Sequence, residues 1–93
     1  MLDKKLYANG KKVYDFDGST LVYYYKSGKI KAKGPYIGEL MEGEWLFYRE
    51  TGQLWQEGHF KNGKKHGSWK RYDKDEKLEY DQDFIEDKPV KQK

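Results

Sequence analysis

The feature that most constrains this chain is an internal repeat. Gly43, Trp45, Tyr48, Leu54 and Phe60 recur as Gly67, Trp69, Tyr72, Leu78 and Phe84, a constant shift of 24 residues. The same shift backwards sets Leu21, Tyr24, Gly28, Ile30, Gly34 and Tyr36 under Trp45, Tyr48, Gly52, Leu54, Gly58 and Phe60. Self-similarity at such a period marks stacked supersecondary units that bury their apolar faces on one another. The third unit has Glu76 where Gly52 stands and Gln82 where Gly58 stands, and reads as a decayed terminal copy.

Within a unit, two apolar runs flank a turn signal. Leu21 to Tyr25 precedes Ser27-Gly28 and Ile30 to Tyr36 follows it; Trp45 to Tyr48 precedes Thr51-Gly52 and Leu54 to Phe60 follows it. That pattern is a β-hairpin. Polar connections, Ile37 to Gly43 and Lys61 to Gly67, reverse the chain between units, so the expected fold is all-β, an antiparallel meander of hairpins in a single twisted, curved sheet. Asn9-Gly10 is suited to a type I′ turn in an N-terminal half hairpin, residues 4–17. The units then run over about 19–42, 43–66 and 67–87, with a frayed tail at 88–93, all in one domain.

Composition decides between this sheet and disorder. Charged residues (38%) outnumber hydrophobic ones (35%), but 17% of the chain is aromatic, with nine Tyr, four Phe and three Trp among its 93 residues. Large rings favour strands and bury much area per residue, so an aromatic-rich, aliphatic-poor chain is expected to pack on rings. A net charge of +3 from interspersed charges serves solubility more than polyanion binding, which argues against nucleic acid as a partner. With no cysteine there is no disulfide framework, thiolate site or thiol nucleophile. Met1 to Leu6 has no apolar signal core, so the chain reads as cytoplasmic, although a signal peptide already removed would leave the same sequence.

The run from Gly43 to Gly67, with Trp45, Tyr48, Gly52, Leu54, Gly58, Phe60, Asn62-Gly63 and His66, resembles the bacterial variant of the MORN repeat, over roughly residues 19 to 86. The resemblance implies hairpins stacked into a long twisted sheet with an aromatic-lined face, acting as a binding or assembly element. Small bacterial relatives of this kind, the YwqK-type proteins, carry an antitoxin-like label, which would imply a cognate toxin as partner.

Gly28 and Gly52 are expected to take positive φ at hairpin turns, Gly34 and Gly58 to leave room for a ring from the next strand, and Gly63 and Gly67 to serve the connections. None opens a helix, so no phosphate loop is read here. His59 and His66 flank a polar turn without a third ligand at metal-site spacing, and hydrogen bonding within the connection is the expected role of His66. Ser19, Ser27 and Ser68 have no paired base, and Glu57, Glu79, Asp81 and Asp83 are spread as solvated strand side chains. No enzyme, cofactor or metal site is expected.

The rings are the one constellation with functional weight. Alternation sends Trp45 and Phe47 to one face and Leu46 and Tyr48 to the other. Tyr24, Trp45, Tyr48, Trp55, Trp69 and Tyr72 are the candidate anchors for another protein or a second copy of this chain. Lys64, Lys65 and Lys70 offer an anionic lipid surface as the alternative. A carbohydrate or single-stranded nucleic acid stacked on the rings is a further one. The packing role of Gly58 predicts that Gly58→Val destabilises far more than Lys65→Ala.

Overall fold

The computed structural model describes residues 6–90 and contains no helix among them. Ten strands form one antiparallel sheet: β1 (Tyr14–Phe16), β2 (Thr20–Tyr24), β3 (Ile30–Ile37), β4 (Leu40–Met41), β5 (Gly43–Tyr48), β6 (Leu54–Lys61), β7 (Lys64–Lys65), β8 (Gly67–Tyr72), β9 (Leu78–Ile85) and β10 (Lys88–Pro89). Their order is β1-β2-β3-β5-β6-β8-β9-β10, with β4 on β3 and β7 on β6. The open meander expected from the repeat is what forms. Its extents of 49 × 35 × 17 Å and radius of gyration of 14.3 Å exceed the about 12 Å of a compact chain this long. Residues 4–5 of the expected half hairpin and 91–93 of the expected tail lie outside the described residues.

Two turn types alternate along the array. Inside each unit Gly28 N–H donates to Tyr25 O, Gly52 N–H to Arg49 O and Glu76 N–H to Asp73 O, each at 2.9 Å. The last turn residue is left-handed, with φ of 97° at Gly28, 98° at Gly52 and 64° at Glu76. Each connection between units is a tight two-residue turn with positive φ at both residues: Gly38-Glu39, Asn62-Gly63 and Glu86-Asp87. Two consecutive left-handed residues match the strand twist, the signature of a type I′ hairpin.

Three expectations are corrected by this geometry. Only Gly10 of the Asn9-Gly10 pair has positive φ, so that turn is not type I′. Gly10 N–H donates to Tyr7 O and Tyr7 N–H to Lys11 O, the pattern of the turns at Gly28 and Gly52. The third unit has not decayed, because Glu76 accepts the left-handed conformation and β9 keeps the register of β3 and β6. Lys88 and Pro89, read as tail, pair with Ile85 and Phe84, and Val90 N–H donates to Asp83 O at 2.8 Å.

The core lies on one face of the sheet. Leu21, Ala32, Tyr36, Trp45, Trp69 and Phe84 are buried, with Trp45 at 0% and Trp69 at 3% exposure, and no polar residue is buried with them among the described residues. Trp45 covers Gly34 and Trp69 covers Gly58 so closely that a Cβ at either glycine would fall inside the indole. Phe60 stands edge-on to both indoles, at 6.3 Å from Trp45 and 5.1 Å from Trp69, and Phe84 continues the stack at 6.3 Å. Burying about 200 Å² of ring contributes at most about 5 kcal/mol at 25 cal/mol/Å², so these few rings substitute for an aliphatic core.

Lys65 is part of this packing, since its Nζ lies 4.8 Å from the Trp69 ring and 4.9 Å from that of Phe84. It is therefore no neutral reference for a glycine substitution, whereas the exposed Lys64 is one. Gly58→Val should lower the melting temperature far more than Lys64→Ala, by about 3 kcal/mol or more against less than about 0.5 kcal/mol, because Trp69 has no room to yield. Equal melting temperatures would overturn the indole-on-glycine packing. Glu76→Gly should stabilise by about 0.5 to 1 kcal/mol, the left-handed penalty relieved less the entropy of glycine, as read by chemical denaturation.

Candidate functional site

With the indoles committed to one face, the opposite face is where a site can lie. Register places Tyr24 opposite Ile30, Tyr48 opposite Leu54 and Tyr72 opposite Leu78, each pair beside a bulge. Taken in strand order these six alternate tyrosine and aliphatic, in a stepped row: the β3–β5 and β6–β8 registers set Tyr48 one residue off the level of Ile30 and Tyr72 one residue off that of Leu54. Ile30 and Leu78 are exposed and the other four are half-buried. The rings lie diagonally toward the preceding strand: Tyr24 Oη donates to Asp15 Oδ2 at 2.8 Å and Tyr72 Oη to Glu57 Oε2 at 2.6 Å, while Lys33 Nζ sits 5.9 Å from the Tyr48 ring. The Tyr24 and Tyr72 phenols are thus pinned at their far ends, while the central Tyr48 ring is met by the Lys33 ammonium.

A second ladder holds successive units in step. Tyr7 Oη donates to Tyr24 O at 2.7 Å, Tyr25 Oη to Tyr48 O at 2.7 Å and Arg49 Nη2 to Tyr72 O at 2.9 Å. Each bond ties the turn of one unit to the backbone of the next tyrosine in the row. In the third unit the position falls to Asp73, which cannot donate and instead accepts from Asp75 and Lys77 N–H in its own turn.

Two clefts open between consecutive turns at equivalent places in the array. One, of about 310 Å³, is lined by Gly10, Lys11, Lys12, Tyr24 and Gly28. The other, of about 340 Å³, is lined by Gly52, Gln53, Leu54, Tyr72 and Glu76. Lysines border the first and a carboxylate the second.

The six candidate anchors therefore separate. Tyr24, Tyr48 and Tyr72 come together in the row. Trp45 and Trp69 are buried on the other face, their Nε1 atoms donating to Pro35 O at 2.8 Å and His59 O at 2.9 Å, and have no ring surface to offer. Trp55 is half-buried against the guanidinium groups of Arg49 (6.0 Å) and Arg71 (5.5 Å). Of the glycines, Gly28 and Gly52 sit at the turns, Gly34 and Gly58 under the indoles, and Gly63 and Gly67 in the second connection, both with positive φ. Ile30, Leu54 and Leu78 were visible only as repeat positions; their place in the row depends on the bulges, which carry no sequence mark of their own. His59 Nδ1 lies 3.0 Å from Ser68 O. His66 departs from its expected role: its backbone N–H bonds His59 O, but its ring Nδ1 is buried without a hydrogen bond among the described residues. No group of three or more His, Asp or Glu among those residues could hold a metal ion, and no helix there is long and apolar enough to cross a membrane.

An open sheet of hairpins at a fixed period, with an indole seated on a glycine in each step, defines a β-hairpin repeat protein. The family model for the MORN repeat variant matches residues 20–37, 41–62 and 65–86, and the chain belongs to that family. No curated protein and no solved structure matches it. MORN repeats make it a repeat binding module in general terms.

Asp15 links the row to pH. The Lys12 ammonium at 3.0 Å, then the Tyr24 hydroxyl, hold the Asp15 carboxyl below its ordinary 3.8. The same bond to Asp15 raises the Tyr24 phenol above its ordinary 10.0. A lowered carboxyl stabilises the fold above its unfolded pKa, and that stabilisation is lost as pH falls through the lower folded value. A raised phenol stabilises below its unfolded pKa, and the gain disappears as pH rises through the folded value. Asp15→Asn should therefore flatten stability against pH at both ends and bring the Tyr24 phenol back toward its ordinary range. Denaturation midpoints below pH 4, and phenolate absorbance above pH 10, check it; unchanged curves would show that the bond carries no linkage.

Proposed function

We propose that this protein binds another protein, and that the row Tyr24, Ile30, Tyr48, Leu54, Tyr72, Leu78 is the binding face. The observation that carries the reading is an alternating aromatic and aliphatic row, partly exposed on a face the core does not use. Contiguous exposed apolar surface marks interaction sites, and tyrosine is a preferred anchor because it gives much contact area for two rotatable bonds. The pinned phenols of Tyr24 and Tyr72 add preorganisation at the two ends of the row, so less entropy is lost when a partner settles on them. The lysines considered for a lipid surface do not converge: Lys64 is an exposed residue at a tight turn, Lys65 lies over core rings, and Lys70 is half-buried opposite Glu57. That dispersion favours a protein partner over a membrane.

Selection of a random-peptide display library on the immobilised protein tests this. Peptides should be enriched, and Tyr48→Ser should weaken those selected by about tenfold or more, the effect of removing a central anchor, while Lys64→Ala leaves them unchanged. Binding should persist in added salt, unlike lipid or nucleic-acid binding. Selected peptides indifferent to Tyr48→Ser, or no enrichment, would overturn the assignment of the face.

A further inference from the structure

The row has a pitch, and the pitch identifies the kind of chain that fits it. Tyr24, Tyr48 and Tyr72 lie on β2, β5 and β8, with one strand, β3 or β6, between each neighbouring pair. At 4.7–4.9 Å between strands, successive tyrosines are about 9.5 Å apart along a line crossing the strands. A polyproline II helix rises 3.1 Å per residue with three residues per turn and so repeats every about 9.3 Å. An extended β-peptide places same-side residues about 6.7 Å apart and an α-helix repeats at 5.4 Å, and neither stays in phase with the rings.

We propose that the partner is a proline-rich segment in the polyproline II conformation, lying across the strands with every third residue on one tyrosine. The inference rests on the tyrosine row being the binding face. Three rings span about 19 Å, matching prolines at positions one, four and seven of a seven-residue stretch. Ile30 and Leu54 fill the steps between the rings, where a proline ring is flanked by an aliphatic side chain on one side and an aromatic one on the other. A polyproline II chain has little conformational freedom to lose and meets rings already held by Asp15 and Glu57, which is why aromatic-lined grooves suit such segments.

Charge gives the segment a direction. The cleft beside Tyr24 is bordered by Lys11, whose side chain passes over Gly28, and by Lys12, which is bonded to Asp15. The equivalent cleft beside Tyr72 is bordered by Glu76. An acidic residue belongs at the Tyr24 end and a basic one at the Tyr72 end, an arrangement that sets orientation more than affinity.

Synthetic peptides decide the matter. The probe DPAAPAAPAR and its basic-first counterpart RPAAPAAPAD together cover both chain directions across the row. DGAAGAAGAR and RGAAGAAGAD carry the same charges on a flexible backbone. Each is titrated into the 93-residue protein by NMR. The better-binding proline peptide should saturate, shift the amides around Tyr24, Tyr48 and Tyr72, and bind about tenfold or more tightly than its glycine counterpart. Tyr48→Ala should weaken it by about tenfold, and Leu54→Ser serves in its place if the tyrosine variant does not fold. Exchanging the end charges, Lys11→Glu with Glu76→Lys, should invert the preference between the two proline peptides. Equal binding of proline and glycine peptides, absence of binding, or shifts elsewhere would each overturn the polyproline assignment. If display-selected peptides then still require Tyr48, the binding face stands and only the partner's conformation is wrong; if they do not, both fall.

Discussion

The structure depends on one contact, an indole lying on a glycine of the neighbouring strand. Trp45 on Gly34 and Trp69 on Gly58 bring a large ring down to the backbone, and the indole N–H reaches the carbonyl of the residue after the glycine, Pro35 or His59. Apolar burial and donor satisfaction are met in one placement, which an isolated sheet needs because it has no second layer to supply either. Phe60, edge-on to both indoles, and Phe47, tilted between them, turn two such contacts into a continuous stack.

The third unit departs from the other two by substitution at the same positions. At Gln82, where the earlier units have glycine, the side-chain amide donates to Asp83 O at 3.1 Å, the place the indole N–H fills for Pro35 and His59. The same amide reaches Val90 O at 2.7 Å. Asp73, where Tyr25 and Arg49 reach forward, turns its carboxylate back on its own turn. Glu79, Asp81 and Asp83 line the last long strand with charge, which discourages further edge pairing. What looked like decay in the third unit is substitution that keeps the repeat's own geometry.

The repeat made most of the fold legible before any coordinates, because Gly, Trp and Phe at fixed spacing have few geometries in common. Less legible was whatever depends on which residue in a pair takes an unusual conformation. Asn9-Gly10 and Asn62-Gly63 are the same dipeptide, yet only the second is left-handed at both residues; strand registers on either side decide it, and those are set at a distance. Glu76 was legible as the turn position equivalent to Gly52, but not as left-handed, because that backbone is imposed by register rather than preferred by its side chain. The site was half legible for a related reason. Strand alternation separated Trp45 from Tyr48, but alternation alone does not say which face is core; the glycines facing Trp45 and Trp69 do.

That assignment of faces is also what the proposed binding face depends on. A single layer that commits Trp45, Trp69 and the phenylalanines to one face leaves Tyr24, Tyr48 and Tyr72 on the other, Tyr24 and Tyr72 tied by hydroxyl to carboxylate and all three by backbone to the turn of the unit before. Each repeat therefore adds one ring at a fixed interval, and no single cleft needs to be deep. Selectivity in such an array comes from interval and phase: a ligand gains only when its own period keeps it in register across several rings, and an out-of-phase chain gains one contact and loses the next. On the proposed reading, the core stack and the ladder have to hold the rings at their interval, since a ruler that bends cannot discriminate between periods of about 9.3 and 6.7 Å.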